Sequence, residues 1–492
     1  MKFKVHITNL SAGGPLIAIM NYKDAMAMGI IAKSRATMAK NNKTASAIID
    51  ISYGNSIKQG EIWLFSELAE ELKAKNNSIV NAVPQNKLDS QDYIKKKMDK
   101  NELTKEEIHE IISDLTNNKL TEIETTAFVS ACYINGMTLA ESAHLAEAIV
   151  ESSGRLHFKK RIIIDKHCIG GIAGNRTTMI VVPIIAAAGL TIPKSSSRAI
   201  TSPAGTADTM EVLAPVSHSK EKIMQIVNKT NGCMVWGGAL SLASADDKII
   251  KFEKPLNLDP EGILLASIMS KKSAADATHV LIDIPVGAET KITSIKEAKH
   301  LKKLFIKLGK KMRINTDVII TNAVQPIGNG IGPALEAIDI LKVLKGNGPV
   351  DLRRKSLVLA SKMLKLAGVR KPMKTAVRIL KFGLADKKMR EIIKAQGGNP
   401  NIQPKDIEVG PCKYTRKSSR EGMITKVSNH SVKAVAKLAG APTDKSAGIY
   451  LHKKLRNYVK KGEELYTIYA KTKEKLEYAK ELSKKEKIME VS

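Results

Sequence analysis

The order of hydrophobic and polar positions changes period several times along the chain. At the start, Phe3, Val5 and Ile7 alternate with polar neighbours, the period-two pattern of a half-buried strand. Further strands are expected over 47–51 and 61–65, with Gly54-Asn55 and Gln59-Gly60 as turns and a short helix over 66–75. From 86 to 153 the period is helical. Helix starts there carry the capping-box pair: Thr104 with Glu107, Thr121 with Glu124, and Thr138 with Glu141. Asn135-Gly136 and Ser153-Gly154 supply stops, and the short connections predict a compact antiparallel helical layer.

Beyond 161, short apolar strands alternate with helices, the mark of an α/β layer with parallel strands. The run includes a helix over 219–230, a strand over 233–236, a helix over 262–273 and a strand over 279–284. It closes with long basic helices over 352–366 and 375–395. Residues 397–404 read as a linker. The tail holds strands over 422–427, 447–451 and 464–470, and a charged helix over 472–485. The expected class is multidomain α/β: a β-rich N-terminal domain (1–84), a helical domain (85–160), an α/β phosphate- and nucleotide-binding domain with a central sheet (161–405), and a C-terminal α+β domain (406–492).

Within this frame the segment 161–213 repeats one device. A strand over 162–164 leads through a loop over 165–176 to a helix over 177–188. A strand over 190–193 then leads through a loop over 194–205 to a helix from Thr206. Such loops suit anions, because the first N–H groups of a helix lack partners and the helix dipole places partial positive charge there. Gly170, Gly171 and Gly174 are expected to let backbone approach a ligand. Lys166, Lys194 and Arg198 bring full charge, and Ser195, Ser196, Ser197, Thr201, Ser202 and Thr206 bring hydroxyls. Neither loop has the dinucleotide or Walker spacing. Two loops in tandem predict a site for two anionic groups, or for one anion and a sugar.

Composition adjusts this picture little. The 492 residues are 43% hydrophobic, enough for a substantial core, and the net charge of +30 favours anionic partners. A nucleic acid is a poor candidate, since aromatics are only 4% and the lysines are spread along the chain. Cys132, Cys168, Cys233 and Cys412 lack paired spacing, so neither a metal nor a disulfide framework is expected. Cys168 could be a nucleophile or a small loop filler. Residues 1–10 lack the apolar run of a secretion signal, and the run over 179–190 holds a proline and is too short to span a bilayer. A cytoplasmic location without membrane contact is expected.

The motif Asp165-Lys166-His167-Cys168-Ile169-Gly170-Gly171 resembles the DKHSxGG signature of the thymidine and pyrimidine-nucleoside phosphorylases, and 266–272 (ASIMSKK) resembles their second signature. The resemblance runs from about residue 86 to the C-terminus. The additional N-terminal domain, with 197–202 (SRAITS) and 257–260 (NLDP), is similar to the archaeal AMP phosphorylase branch of that family. Two departures stand out. After Ala245-Asp246-Asp247-Lys248 there is no arginine of the kind that grips a pyrimidine base. Cys168 stands where the family has serine, which weakens one phosphate contact.

The resemblance implies phosphorolysis of AMP, with CMP and UMP as further candidates, to free base and ribose 1,5-bisphosphate. Pyrimidine nucleoside phosphorolysis is the alternative. A phosphoribosyltransferase would need an acidic metal cluster that the sequence does not display. The resemblance implies AMP contacts at Gly171, Ser197, Arg198, Ala199, Ile200, Thr201, Ser202, Thr206, Ser267 and Lys291. Phosphate contacts are implied at Lys166, Thr177 and Ser196, with Thr206 shared. Asp259 becomes the proton donor to the leaving base. From the residues alone, Asp259-Pro260 reads equally as a helix N-cap with proline at N1, and Lys291 as a surface lysine. A carboxylic acid in the donor role needs burial or a neighbouring carboxylate to keep its proton. No cofactor or metal is implied, inorganic phosphate being a co-substrate. A homodimer through the helical lobe, enlarged through the N-terminal domain, is expected, as is a cleft between the helical and α/β lobes.

Overall fold

The computed structural model describes residues 1–199, 202–240, 244–256 and 258–492, and their side chains except at 239, 240, 244, 254 and 256. The chain forms two compact units, Met1–Ser152 with Ser244–Ser267, and Ser153–Ala243 with Ile268–Ser492.

In the first unit, strands Lys2–Ile7, Ile17–Asn21, Arg35–Lys40, Lys43–Ser52, Glu61–Leu64 and Ile79–Pro84 close into a barrel. Closure leaves no open edge to pair with another chain. Alternation sets which face is enclosed: Phe3 and Val5 of the first strand point inward with Met20, Met38, Ile49, Ile62 and Leu64. Three of these strands are not legible from pattern. In each, one of the two alternating buried core positions is a small alanine, Ala18, Ala36 or Ala82, which weakens the apolar alternation.

The helices Lys105–Thr116, Glu122–Asn135 and Leu139–Glu151 begin where expected, each with both arms of its capping box formed. Glu141 does more than cap. Its carboxylate also accepts from Leu103 N at 2.9 Å and from the buried Lys97 ammonium at 2.7 Å, neutralising a cation inside the helical layer.

The second unit is built on parallel strands. Asn315–Asn322, His279–Val286 and Ile164–Cys168 pair in that order, and Ile192–Ser196 pairs with Gly232–Trp236. A parallel bridge between Ile163 and Thr191 joins the two sets. The helix Thr178–Ala187 is apolar on every side, which fits only an enclosed element, and it is buried from Thr178 to Ala186. Helices Val350–Leu366, Pro372–Lys381 and Leu384–Ala395 pack on it. The last two replace the single helix expected over 375–395. Gly383, in the left-handed region at φ 70°, breaks it and lets the chain turn.

The C-terminal part has its own core, in which Ile424, Val432, Ile449, Leu451 and Ile468 meet beneath helices Asn429–Leu438 and Lys473–Lys485. Among the described residues, no helix is long and apolar enough to cross a membrane.

Candidate active site

Both strands of the repeated device start and end later than expected. The first covers Ile164–Cys168 and the second Ile192–Ser196, so Asp165, Lys166, His167, Lys194, Ser195 and Ser196 are strand residues, not loop residues. Apolar pattern alone misses them because charged groups are rarely enclosed. Here they are enclosed because they are paired. Asp165 accepts from the Lys272 ammonium at 2.5 Å and lies 3.5 Å from that of Lys194, all three buried. Lys166, on the opposite face of the strand, donates to Thr177 Oγ1 at 2.9 Å. Thr177 immediately precedes the helix Thr178–Ala187, so the ammonium sits at a helix N-terminus.

Further polar groups gather at this strand end. Asn175 contacts Cys168 Sγ at 3.2 Å. Asp283, on the adjacent strand, accepts from Thr321 Oγ1 at 2.6 Å and lies 3.1 Å from Lys355 Nζ. Burial would push the Asp283 carboxyl up, but Lys355 and Lys166 outweigh it and hold the carboxyl below the usual range. Burial pushes Lys166 down, with Asp283 among the groups opposing the shift. His167 is driven well below its ordinary value, first by burial and then by Lys272, Lys194, Lys271 and Lys166, so it is neutral near pH 7. Burial raises the Cys168 thiol to about 11, which removes it as a thiolate nucleophile at neutral pH. Lysines outnumber carboxylates here, leaving a positive field at the carboxyl ends of parallel strands, where ligands of open α/β sheets bind.

On the second loop, Ser196 Oγ is buried without a hydrogen-bond partner among the described residues, and Ser197 is exposed. Arg198 forms a two-pronged pair with Glu211 at 2.6 and 2.7 Å and lies 5.0 Å over the Trp236 ring. Asp208 accepts from Ala199 N at 2.7 Å and Gly205 N at 2.8 Å, fixing both ends of the turn. Ser202 bonds to Ala204 O at 2.9 Å. Thr206 opens a helix of only five residues, Thr206–Met210, so the dipole argument is weaker at the second loop than at the first. Ile200 and Thr201 lie outside the described residues. Arg176 joins the two loops, bonding to Glu336 and to Ala204 O.

The Arg198 pair predicts an acid response. The hydrogen bond from Arg198 holds Glu211 at about 2. Its folded value is depressed, so its stabilisation is complete above the ordinary glutamate value of about 4.3 and disappears as pH falls toward that lower value. Melting temperature should therefore fall more steeply over this window in the protein than in the Glu211→Gln variant; parallel curves would contradict the coupling.

The glycines act differently from expectation. A Cβ at Gly171 would lie 2.8 Å from Thr290 Cα and 2.9 Å from Lys291 N, and one at Gly174 would lie 2.2 Å from Ile327 O. Both admit protein backbone. Gly170, at φ 103°, faces open space. Gly171 and the exposed Lys291 are thus brought together. Asp259 and the half-buried Ser267 belong to the first unit. Asp259 is exposed just before helix Glu261–Ala274, and Pro260 accepts from Leu264 N at 2.9 Å within its first turn. Sequence reading missed Asn175, Arg176, Asp283, Glu336 and Lys355. Of these only Asp283 left a signal, a lone charge in the apolar run HVLIDIPV.

Residues 91–153 match the helical bundle domain of the glycosyl transferase family, and 160–386 match its α/β domain. Residues 423–489 match the pyrimidine nucleoside phosphorylase C-terminal domain. Anthranilate phosphoribosyltransferase from Thermus thermophilus shares the fold, with a TM-score of 0.52 at 17% identity over 62% of this chain and 99% of that one. Fold and loops therefore define an enzyme, a pentosyltransferase of the phosphorylase class. AMP phosphorylases from Thermococcus sibiricus and Thermococcus kodakarensis are each 43% identical across 97% of this chain and 95% of their own length. That from Methanocaldococcus jannaschii is 44% identical across 95% and 93%. The chain belongs to the AMP phosphorylase family.

Proposed function

We propose that the protein catalyses reversible phosphorolysis of AMP, giving adenine and ribose 1,5-bisphosphate, with CMP and UMP as further substrates. The observation that carries this is the buried Lys166–Thr177 pair at a helix N-terminus; the second loop adds a buried Ser196 hydroxyl that has no partner among the described residues. Whole-length similarity to AMP phosphorylases supports the choice of nucleotide. Breaking the glycosidic bond leaves positive character on C1′ and negative charge on the departing base. Inorganic phosphate held by Lys166, Thr177 and Ser196 attacks C1′ from the face opposite the base, and its oxygen forms the new bond as the C1′–N bond breaks. Fixing nucleophile and sugar together removes most of the entropic barrier. The positive field at the strand ends stabilises the spread charge.

Residues 197–202, Thr206, Gly171, Ser267 and Lys291 are the proposed AMP contacts. Arg198 orders the 197–205 turn through Glu211 and Trp236. Asp259 donates the proton that the base takes with its electron pair. It is exposed, open to a base bound over it. Asp259→Asn is expected to lower kcat about a hundredfold while AMP binding is kept. Near-normal turnover would remove Asp259 from the chemistry. No cofactor or metal takes part in the proposed reaction, and the working form is a homodimer or larger homo-oligomer in the cytoplasm.

The assay is release of free base from AMP, CMP, UMP and the matching nucleosides, with and without phosphate. Phosphate-dependent release from AMP is expected. Preference for uridine or thymidine would instead favour the pyrimidine nucleoside reading.

A further inference from the structure

The helix Asn429–Leu438, in the C-terminal part, meets both segments that carry Gly171 and Lys291. Asn429, 1% exposed, accepts from Ala173 N at 3.2 Å and donates to Ala323 O at 3.1 Å. One turn further on, the Lys433 ammonium donates to Gly171 O at 3.2 Å. At the N-terminus of the helix, Glu289 accepts from Ser428 Oγ at 2.9 Å and from His430 N at 2.9 Å. Burial pushes the Glu289 carboxyl up, but bonds from His430, Ser428 and Asn429 overcome this and hold it below the usual range. It remains ionised and docked, and it ties the turn bearing Lys291 to the same helix.

Lys433 is more than a strut in this arrangement. It is half-buried, and burial lowers its proton affinity, with Glu289 pulling the other way. Glu289 already directs its oxygens to the helix N-terminus. A lysine carries three donors, and Gly171 O takes one. A Cβ on Gly171 would lie 2.9 Å from Lys291 N, so the two backbone segments pass closely. The Lys433 ammonium and the backbone of the Lys291 segment therefore meet at one glycine of the first loop, from different parts of the second unit. A nucleoside and its 5′-monophosphate differ by a dianion, and selection between them requires cations placed for that group.

We infer that Lys433 is a ligand of the substrate 5′-phosphate, and that the C-terminal helix thereby makes the enzyme selective for nucleoside monophosphates over nucleosides. Asn429 and Glu289 are positioning residues that hold the Gly171 and Lys291 segments around it. The inference rests on AMP being the substrate, as proposed above.

The test uses the full chain with Lys433→Met, Lys433→Gln and Lys433→Arg. Adenine release is measured with AMP varied and then with inorganic phosphate varied, and melting temperature is recorded for each. Loss of a charge-assisted contact predicts a KM for AMP raised about tenfold to a hundredfold in Met and Gln, with the KM for phosphate changed less than about twofold. Arg should recover part of the loss. An unchanged KM for AMP, or equal rises in both KM values, would overturn the inference and leave Lys433 as a prop for the loop. Failure of all three variants to fold would do the same. Wild-type protein that releases no base from AMP would instead overturn the substrate reading, and this inference with it.

Discussion

Lys166→Ala is expected to lower kcat/KM for phosphate by about a hundredfold to a thousandfold. The size follows from where the ammonium sits. It is 1% exposed, with Thr177 Oγ1 2.9 Å away at the N-terminus of a buried helix. Charge acting in a dry, fixed setting counts for far more than the same charge in water. Initial rates with phosphate varied would measure the effect. A loss confined to KM for AMP would move Lys166 from the attacking anion to the nucleotide.

Asp165→Asn is expected to destabilise the fold by about 3–5 kcal/mol, because a buried carboxylate is removed while its cations stay. Lys272 at 2.5 Å and Lys194 at 3.5 Å would then lack their counter-charge. Burial already pushes Lys272 below its usual range, and losing Asp165 pushes it further. In that variant the unfolded chain binds a proton that the folded chain does not, over the range from the depressed folded value up to the ordinary lysine value of about 10.4. Its stability should therefore rise with pH across that range. Urea melts at several pH values would show this, and a variant as stable as the parent at pH 7 would refute the ion-cluster account.

The same cluster shows why the sequence was only partly legible. Period and caps identified the helices around 104–151, since Thr-x-x-Glu has a single local geometry. The glycines of the first motif fall in the loop, while Asp165, Lys166 and His167 before them are strand. Strand ends were misplaced because Asp165, Lys166 and Lys194 break the apolar run, and their partner Lys272 lies about a hundred residues away. Nothing local announces such a pairing. Asn429 and Lys433 were invisible for a similar reason. On an amphipathic surface helix they look like any polar residues, and only the tertiary fold brings them to Ala173 and Gly171. Gly171 and Gly174 were expected to let backbone approach a ligand, yet what approaches them is the protein's own backbone.

The most direct measurement is phosphorus NMR of full-length protein incubated with AMP and inorganic phosphate, with adenine followed in parallel. The account predicts that inorganic phosphate disappears in step with adenine release and that a sugar product bearing two phosphates accumulates. Adenine release with inorganic phosphate undiminished, or no release at all, would contradict it.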